Sequence, residues 1–330
     1  MAKPKTLQEA IKYFSDEQNC IRVVAEMRWP HGPACPACGH MQHYWLESQK
    51  RWKCKECWKQ FSVKLGTIFE DSPIGLDKWL IALWMLVNCK NGVSSYELSR
   101  DLGITQKSAW FVLQRLRLAL QDGSIEKLGG DGSEIEVDET FVGAKAKNMH
   151  KSRKLRLQRM RNETPDHKNT AHYLGKTAVM GMLDREQRKI RATVVANTKR
   201  DTLQKEILEQ VEHGSKLYTD QAESYRWMDK AKYVHQFVNH LEKYVDGRVH
   251  TNGLENFWSL LKRGLNGTYV AVEPFHLFRY VDEQVFRYNN RGTRKEKISD
   301  SDRFELALSQ VAGKRLTFAE VTGKDQSQPF

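Results

Sequence analysis

Two Cys-x-x-Cys pairs, Cys35-Pro-Ala-Cys38 and Cys54-Lys-Glu-Cys57, stand 15 residues apart in the first fifth of this 330-residue chain. Each pair makes a tight turn that aims two sulfurs at one point. Two such turns at the ends of a short β-hairpin complete a tetrahedral, all-cysteine site for one zinc ion. The spacing therefore predicts a closed, structural Zn²⁺ site that folds a module too small to be held by apolar burial alone. Tyr44, Trp45, Trp52 and Phe61 are the apolar side chains available to it. A redox dithiol is the competing chemistry, but it uses one pair beside a βαβ unit. His40 and His43 are further potential ligands that four cysteines make unnecessary. Cys20 and Cys89 read as small buried side chains. Six cysteines in this length are no disulfide scaffold, and their pairing points to a reducing compartment.

Around that module the pattern is helical. Leu7, Ile11, Phe14, Ile21, Val24 and Met27 predict one or two short helices over 6–27, and Trp79, Leu80, Leu83, Trp84, Leu86 and Val87 a buried one. The stretch Gly92 to Arg117 reads as a helix-turn-helix. Ser94 or Ser95 caps the first helix, Gly103 makes the turn, Thr105 caps the second, and Ala109, Val112, Leu113 and Leu116 face inward. Gln106, Lys107, Trp110, Gln114 and Arg117 would then be presented to a DNA groove and its phosphates. A purely structural helical pair is the plainer alternative. Gly129-Gly130-Asp131-Gly132 marks a boundary.

Beyond the boundary the texture changes to strands. Glu134 to Val142 alternates, with Ile135 and Val137 on one face and Glu136, Asp138 and Thr140 on the other. A loop is expected over 144–172. It holds nine basic residues, among them Lys151, Arg153, Lys154 and Arg156, against Glu163 and Asp166, which suits a phosphate backbone or a solvated insertion. Strands follow over 176–183 and 189–195, a helix over 201–212, a strand Lys216–Asp220, a helix over 221–230 and a strand over 233–239. The order β-β-β-α-β-α-β-α, with acids in the first strand, at the end of the fourth and on the last helix, resembles a ribonuclease H-like core. In that mixed sheet the first and fourth strands are neighbours, which brings together Asp138 and Asp220.

The last of those helices is the stretch Val249 to Arg263. Leu254, Phe257, Trp258, Leu261 and Leu265 form its buried stripe, with Glu255, Ser259 and Lys262 on another face. Asn252 followed by Glu255 also fits a capping box, in which Glu255 only closes the first turn. Three converging carboxylates repel one another unless divalent metal holds them, so Asp138, Asp220 and Glu255 are candidate ligands of two Mg²⁺ or Mn²⁺ ions for displacement at phosphorus. Glu136 is an accessory candidate, and Glu139 points away. A closing helix over 274–288 puts Phe275, Phe278, Val281 and Val285 inward. The excess of 53 Lys and Arg over 41 Asp and Glu, a net +12, favours an anionic partner. No apolar run is long enough to span a membrane and the amino terminus is no signal peptide, so a soluble, intracellular protein is expected.

Asp138, Asp220 and Glu255, with 34 residues between the last two and Lys262 seven positions on, resemble the DDE signature of insertion-sequence transposases and retroviral-type integrases. The wording of Ile-Glu-Val-Asp138-Glu-Thr, Leu-Tyr-Thr-Asp220, Val-His-Thr-Asn-Gly-Leu-Glu255-Asn-Phe-Trp-Ser-Leu-Leu-Lys262-Arg-Gly and Tyr-Asn-Asn-Arg291 is similar to the ISXO-type bacterial transposases. That resemblance spans about residues 15 to 291 and implies an α+β multidomain chain. Its parts would be a helical segment 1–28, a zinc ribbon 29–70, a helix-turn-helix region 71–128, a ribonuclease H-like catalytic core 129–291 with a mixed five-stranded sheet, and a tail 292–330. It implies a DNA transposase that binds terminal inverted repeats and carries out metal-dependent strand cleavage and transfer on double-stranded DNA, as a homodimer or higher oligomer. Lys262 and Arg263 would grip a phosphate near the scissile bond. Some relatives carry Asn as third residue, which makes Asn252 the alternative to Glu255. A transposase-derived regulator without cleavage activity and a structure-specific nuclease are the other functions compatible with these motifs.

Overall fold

The computed structural model describes residues 3–121, 123, 126–143, 149–163, 175–220, 225, 233–238, 250–293 and 296–323, without the side chains of 153, 157, 160–163, 220, 237 and 238. The expected helix over 221–230 falls outside them, apart from Tyr225. Residues 1–121 with 290–330 form one compact unit and residues 122–289 a second.

The first unit begins with α1 (Leu7–Phe14) and α2 (Glu17–Arg28), capped by Thr6 and Asp16, whose side chains accept from the N–H groups of Glu9 and Gln18. An antiparallel sheet of β1 (His43–Leu46), β2 (Arg51–Cys54) and β3 (Gln60–Phe61) follows. Its inner side stacks Trp52 on Phe61, 5.7 Å between rings, with Trp29 and Trp45 at 5.5 and 4.9 Å from Trp52. The apolar run over 76–88 becomes α3 (Leu76–Asn88), buried on nearly every side as its unbroken hydrophobicity requires. Then come α4 (Ser95–Leu102) and α5 (Gln106–Ala119). Ser94 and Glu97 make a full capping box at α4, Gly103 ends it at φ 59°, and Thr105 caps α5 through the Ser108 N–H.

In the second unit the strands are β4 (Glu134–Val142), β5 (Thr177–Asp184), β6 (Lys189–Val195), β7 (Lys216–Asp220) and β8 (Val234–Val238), in the sheet order β6-β5-β4-β7-β8. β4, β5 and β6 pair antiparallel, and β7 and β8 join parallel to β4. This 3-2-1-4-5 mixed sheet is the ribonuclease H-like topology. Helix α6 (Lys151–Glu163) lies in the segment expected to be a loop. That expectation is corrected for these residues: without Gly or Pro, their Leu, Arg, Lys, Gln and Met carry helix propensity although they have no apolar stripe. One sheet face packs Ile135, Val137, Met180, Met182 and Leu217 against Leu203 and Ile207 of α7 (Arg200–Gln210). The other packs Val179, Leu183 and Ile190 against α8 (Asn252–Gly264) and α9 (Leu277–Asn289). On α9 the inward residues include Leu277, Tyr280, Val281 and Val285, whereas Phe275 and Phe278 are only half-buried. A short 3₁₀ turn at Pro274–His276 starts that helix late and shifts its inward face.

The segment after Arg291, whose sequence suggests only a short helical patch near Phe304 to Val311 and no role, adds α10 (Asp300–Ser309) and α11 (Phe318–Val321) to the first unit. Phe304 sits 5.5 Å from the ring of Phe14 and 5.3 Å from that of Trp84. Among the described residues no helix is long and apolar enough to cross a membrane.

Candidate active site and metal centre

The four paired cysteines meet. Cys35 Sγ lies 3.6 Å from Cys57 Sγ, Cys38 Sγ 3.6 Å from Cys54 Sγ, and all four sulfurs lie within 4.8 Å of one another. A tetrahedral zinc ion with bonds of about 2.3 Å sets its sulfurs about 3.8 Å apart, so the donor set fits structural zinc. Electrostatics asks for a cation there. Burial pushes the Cys35 thiol up, but the N–H groups of Ala37 and Cys38 together with the thiols of Cys57 and Cys38 outweigh it and bring the group down to about 7. The N–H of Cys57 also lowers Cys54. At Cys38 the N–H of His40 favours the thiolate, yet burial and the three other thiols carry the group up to about 12. The bare cluster thus accepts negative charge at two sulfurs and resists it at Cys38, which a divalent ion relieves. Of the two single cysteines, Cys20 is buried and Cys89 half-buried. Burial raises Cys20 to about 12.

The acidic face of β4 is where α8 docks. β4 pairs with β7 in the register Glu134↔Lys216, Ile135↔Leu217, Glu136↔Tyr218. The pairing ends there; continued two residues further, the same register would bring Asp138 opposite Asp220, whose side chain is outside the described ones. On the other flank Asp138 pairs with Gly181 of β5. A Cβ at Gly181 would stand 2.7 Å from the Trp258 ring and 2.9 Å from Leu254, so the missing side chain is the notch that seats α8. From that seat Trp258 donates its indole N–H to Asp138 Oδ2 at 2.9 Å.

A second anchor lies two strand residues and four helix residues earlier. Glu136, 1% exposed, accepts the Leu254 N–H at 3.0 Å and the Arg185 Nε–H at 2.7 Å. Two strand steps of about 3.3 Å and four helical steps of about 1.5 Å are nearly equal, so the two anchors lay α8 along β4. Gly253 permits the approach, since a Cβ there would meet Leu183 at 2.3 Å and Glu136 Oε2 at 2.9 Å. Arg185 also donates to Glu134 at 3.3 Å, to the His250 carbonyl at 2.6 Å and to His250 Nδ1 at 2.8 Å. A guanidinium only donates, so that nitrogen is the acceptor of the contact. Glu136 is thus held as a structural anchor of the helix start. Glu139 points to the opposite face, where the Tyr225 hydroxyl donates to it.

This arrangement corrects the capping reading of Asn252 and Glu255. Thr251 occupies the cap position, its side chain makes no capping bond, and Asn252 is the first helical residue. Glu136 satisfies the helix start from the neighbouring strand. Glu255 is left exposed, one turn before Trp258, and among the described residues its carboxylate makes no hydrogen bond or ion pair. Lys262 and Arg263 are exposed further along α8, as is Asn252 at its start. Asp138 is half-exposed and Glu255 exposed, and their carboxylates are oxygen donors of the kind Mg²⁺ or Mn²⁺ would take. Among the described residues the four cysteines are the one cluster of three or more ligand side chains within ion reach.

The candidate DNA-facing residues divide. On α5, Lys107 is exposed and Gln106 and Trp110 are half-exposed. Gln114 and Arg117 are 0% and 1% exposed, so neither faces a groove. The carboxy-terminal segment covers this helix: the Arg115 Nε–H donates to the Leu316 carbonyl at 3.0 Å, the Lys314 ammonium to that of Ala119 at 3.1 Å, and Phe318 lies 6.1 Å from Phe111. On α6, Lys151, Lys154, Arg156 and Arg159 are exposed; the Arg153 side chain is outside the described ones. Sequence reasoning missed Arg185, His250 and the donor role of Trp258. Gly253 and Gly181 were the available signals, as glycines inside a helix and a strand mark close approach.

Comparison with known proteins agrees with this architecture. Residues 127–289 match the model of the ISXO2-like transposase domain, and residues 15–60 that of a transposase zinc-ribbon domain. An uncharacterized protein in the transposable element ISH50 of Halobacterium salinarum is 25% identical over 264 residues, 78% of this chain and 85% of that protein. An uncharacterized transposase-like protein of Haemophilus influenzae is 32% identical over 102 residues, 31% of this chain and 82% of that protein. A solved simian T-cell lymphotropic virus intasome in complex with PP2A regulatory subunit B56 gamma aligns over 68% of this chain and 74% of its own at 13% identity, with a TM-score of 0.30. The sheet order, and not that alignment, carries the fold.

Proposed function

Because the chain belongs to the ISXO2-like transposase family, with its zinc ribbon and its ribonuclease H-like core, we propose that it cuts and transfers DNA strands at the ends of a mobile element through Asp138, Asp220 and Glu255. The observation that carries the reading is the two-point docking of α8 on β4. Through it Glu255 is held one helical turn from a tryptophan that touches Asp138, and a β4–β7 register continued beyond Glu136↔Tyr218 would bring Asp220 beside Asp138. The three carboxylates would hold two Mg²⁺ or Mn²⁺ ions. Such ions, when bound, activate a water or 3′-hydroxyl and neutralise charge on the leaving oxygen.

The chain's own groups supply the rest. Trp258 engages Oδ2 of Asp138 and so fixes the direction of its carboxylate. Lys262 and Arg263, two turns along the exposed side of α8, are proposed to hold the phosphate next to the scissile bond. Glu255 is preferred to Asn252 as third ligand because an anionic oxygen holds Mg²⁺ better than an amide does. Gln106, Lys107 and Trp110 at the start of α5, together with α6, would contact duplex DNA at the element ends and in the target. Two ends are handled together, so the working form is proposed as a homodimer or higher oligomer.

The test is end cleavage on labelled duplex with Mg²⁺. Asp138→Ala, Asp220→Ala and Glu255→Ala should each bind the end like the unmodified chain and lose cleavage; cleavage surviving in all three would sink the assignment.

A further inference from the structure

In the zinc ribbon, the residue after the second cysteine of each pair has a left-handed backbone: Gly39 at φ 75° and Trp58 at φ 59°. The two turns are equivalent. The Cys35 N–H donates to the His40 carbonyl and the Cys54 N–H to the Lys59 carbonyl, both at 3.0 Å. Geometry therefore demands positive φ at this place in both turns, and glycine meets the demand without strain. A tryptophan there is a steric outlier. Burial does not offset the strain, because Trp58 is 60% exposed.

Its surroundings say what it faces. The Lys53 ammonium lies 5.1 Å from the Trp58 ring centre. Lys53 pairs across the hairpin with Tyr44, itself 49% exposed, whose ring lies 4.8 Å from the Lys55 ammonium. Trp45, Trp52 and Phe61 occupy the opposite, inner side. The outer face thus carries two open aromatic rings, each beside a lysine, with Arg51 two residues before Lys53 on β2, while Glu56 and Lys59, both exposed, flank Trp58 in its turn. Four cations against one carboxylate oppose burial against an apolar protein surface and match a polyanion. Stacking needs a base whose own face is free, and bases within a duplex spend their faces on each other.

We propose that this outer face of the ribbon binds unpaired nucleotides of single-stranded DNA, with Trp58 stacking on a base and Lys53 and Lys55 neutralising the adjoining phosphates. The proposal rests on the reading of the chain as an enzyme that acts on DNA strands, in which cleaved or frayed ends expose such nucleotides.

The experiment uses the full zinc-loaded chain and fluorescence anisotropy with a labelled oligothymidylate and with a mixed-sequence duplex of equal length. Trp58→Gly should weaken single-strand binding by about five- to a hundredfold, the range of one lost base stack. Duplex affinity and zinc content should be unchanged and the melting temperature equal or higher, since the substitution relieves the backbone. Trp58→Phe, which keeps a ring, should retain most of the affinity. Unchanged single-strand binding in Trp58→Gly would overturn the proposal, and so would equal losses on duplex, loss of zinc, or a lowered melting temperature. Asp138→Ala separates the two readings: it should bind oligothymidylate normally, and cleavage persisting in it would count against the catalytic assignment alone.

Discussion

Glu136 and Glu255 are both carboxylates at the head of α8, and their surroundings send them to opposite tasks. Glu136 is buried, with its oxygens taken by Arg185 and by the Leu254 N–H. Replacing it with alanine strands a guanidinium and a helix start, and breaking a buried pair costs about 3–5 kcal/mol. The second unit of Glu136→Ala should accordingly melt roughly 10 °C lower in calorimetry, at about 2–4 °C per kcal/mol for a unit of this size. Glu255→Ala removes an exposed group and should change stability by no more than about 0.5 kcal/mol, while abolishing cleavage. A large melting shift in Glu255→Ala would make it the anchor instead. Trp258→Phe keeps a ring against Gly181 and deletes the donor to Asp138. A hydrogen bond to a charged group contributes about 1.5–3 kcal/mol, so calorimetric Mn²⁺ affinity should change on the order of tenfold or more; unchanged affinity would separate that bond from metal binding.

At the scale of elements, α5 and α6 show how far periodicity reaches. The inward set Ala109, Val112, Leu113 and Leu116 is buried as its spacing predicts. Gln114 and Arg117 are buried as well, on a helix whose neighbouring Arg115 is bonded by the far end of the chain. Substitutions at Gln106 and Lys107 should therefore alter duplex binding without loss of stability, whereas Gln114→Ala and Arg117→Ala should lower the melting temperature; measuring both properties for all four variants checks the division. Helix α6 presents basic side chains and no apolar stripe. Changing Lys151, Lys154, Arg156 and Arg159 together to glutamine should leave the fold intact. The log–log salt dependence of duplex affinity should then become shallower by about 0.9 for each phosphate that α6 no longer neutralises. An unchanged slope would show that α6 does not meet the backbone of DNA.

At the scale of the whole molecule, the first unit is closed by residues that follow the second in sequence. Ending the chain after Asn290 removes the Phe304 ring from Phe14 and Trp84 and the Leu316 acceptor from Arg115. Such a truncation should unfold or loosen the first unit, seen as dye binding to exposed apolar surface and lost amide protection over α3 and α5, while protection in 122–289 persists. Stripping zinc should unsettle the ribbon in the same measurement and leave the sheet of the second unit protected. By itself the sequence determined the clustering of the four paired cysteines, the Thr105 cap of α5, the alternation of β4 and the order of the strands. Each of these is written in spacings of a few residues, where local geometry leaves one solution. Tertiary structure alone decided that Glu136 anchors α8 while Glu255 stays exposed, and that half of α5 is covered. Those outcomes depend on partners 118 and 201 positions away, and the desolvation and packing that assign a side chain its task exist only once distant segments have met.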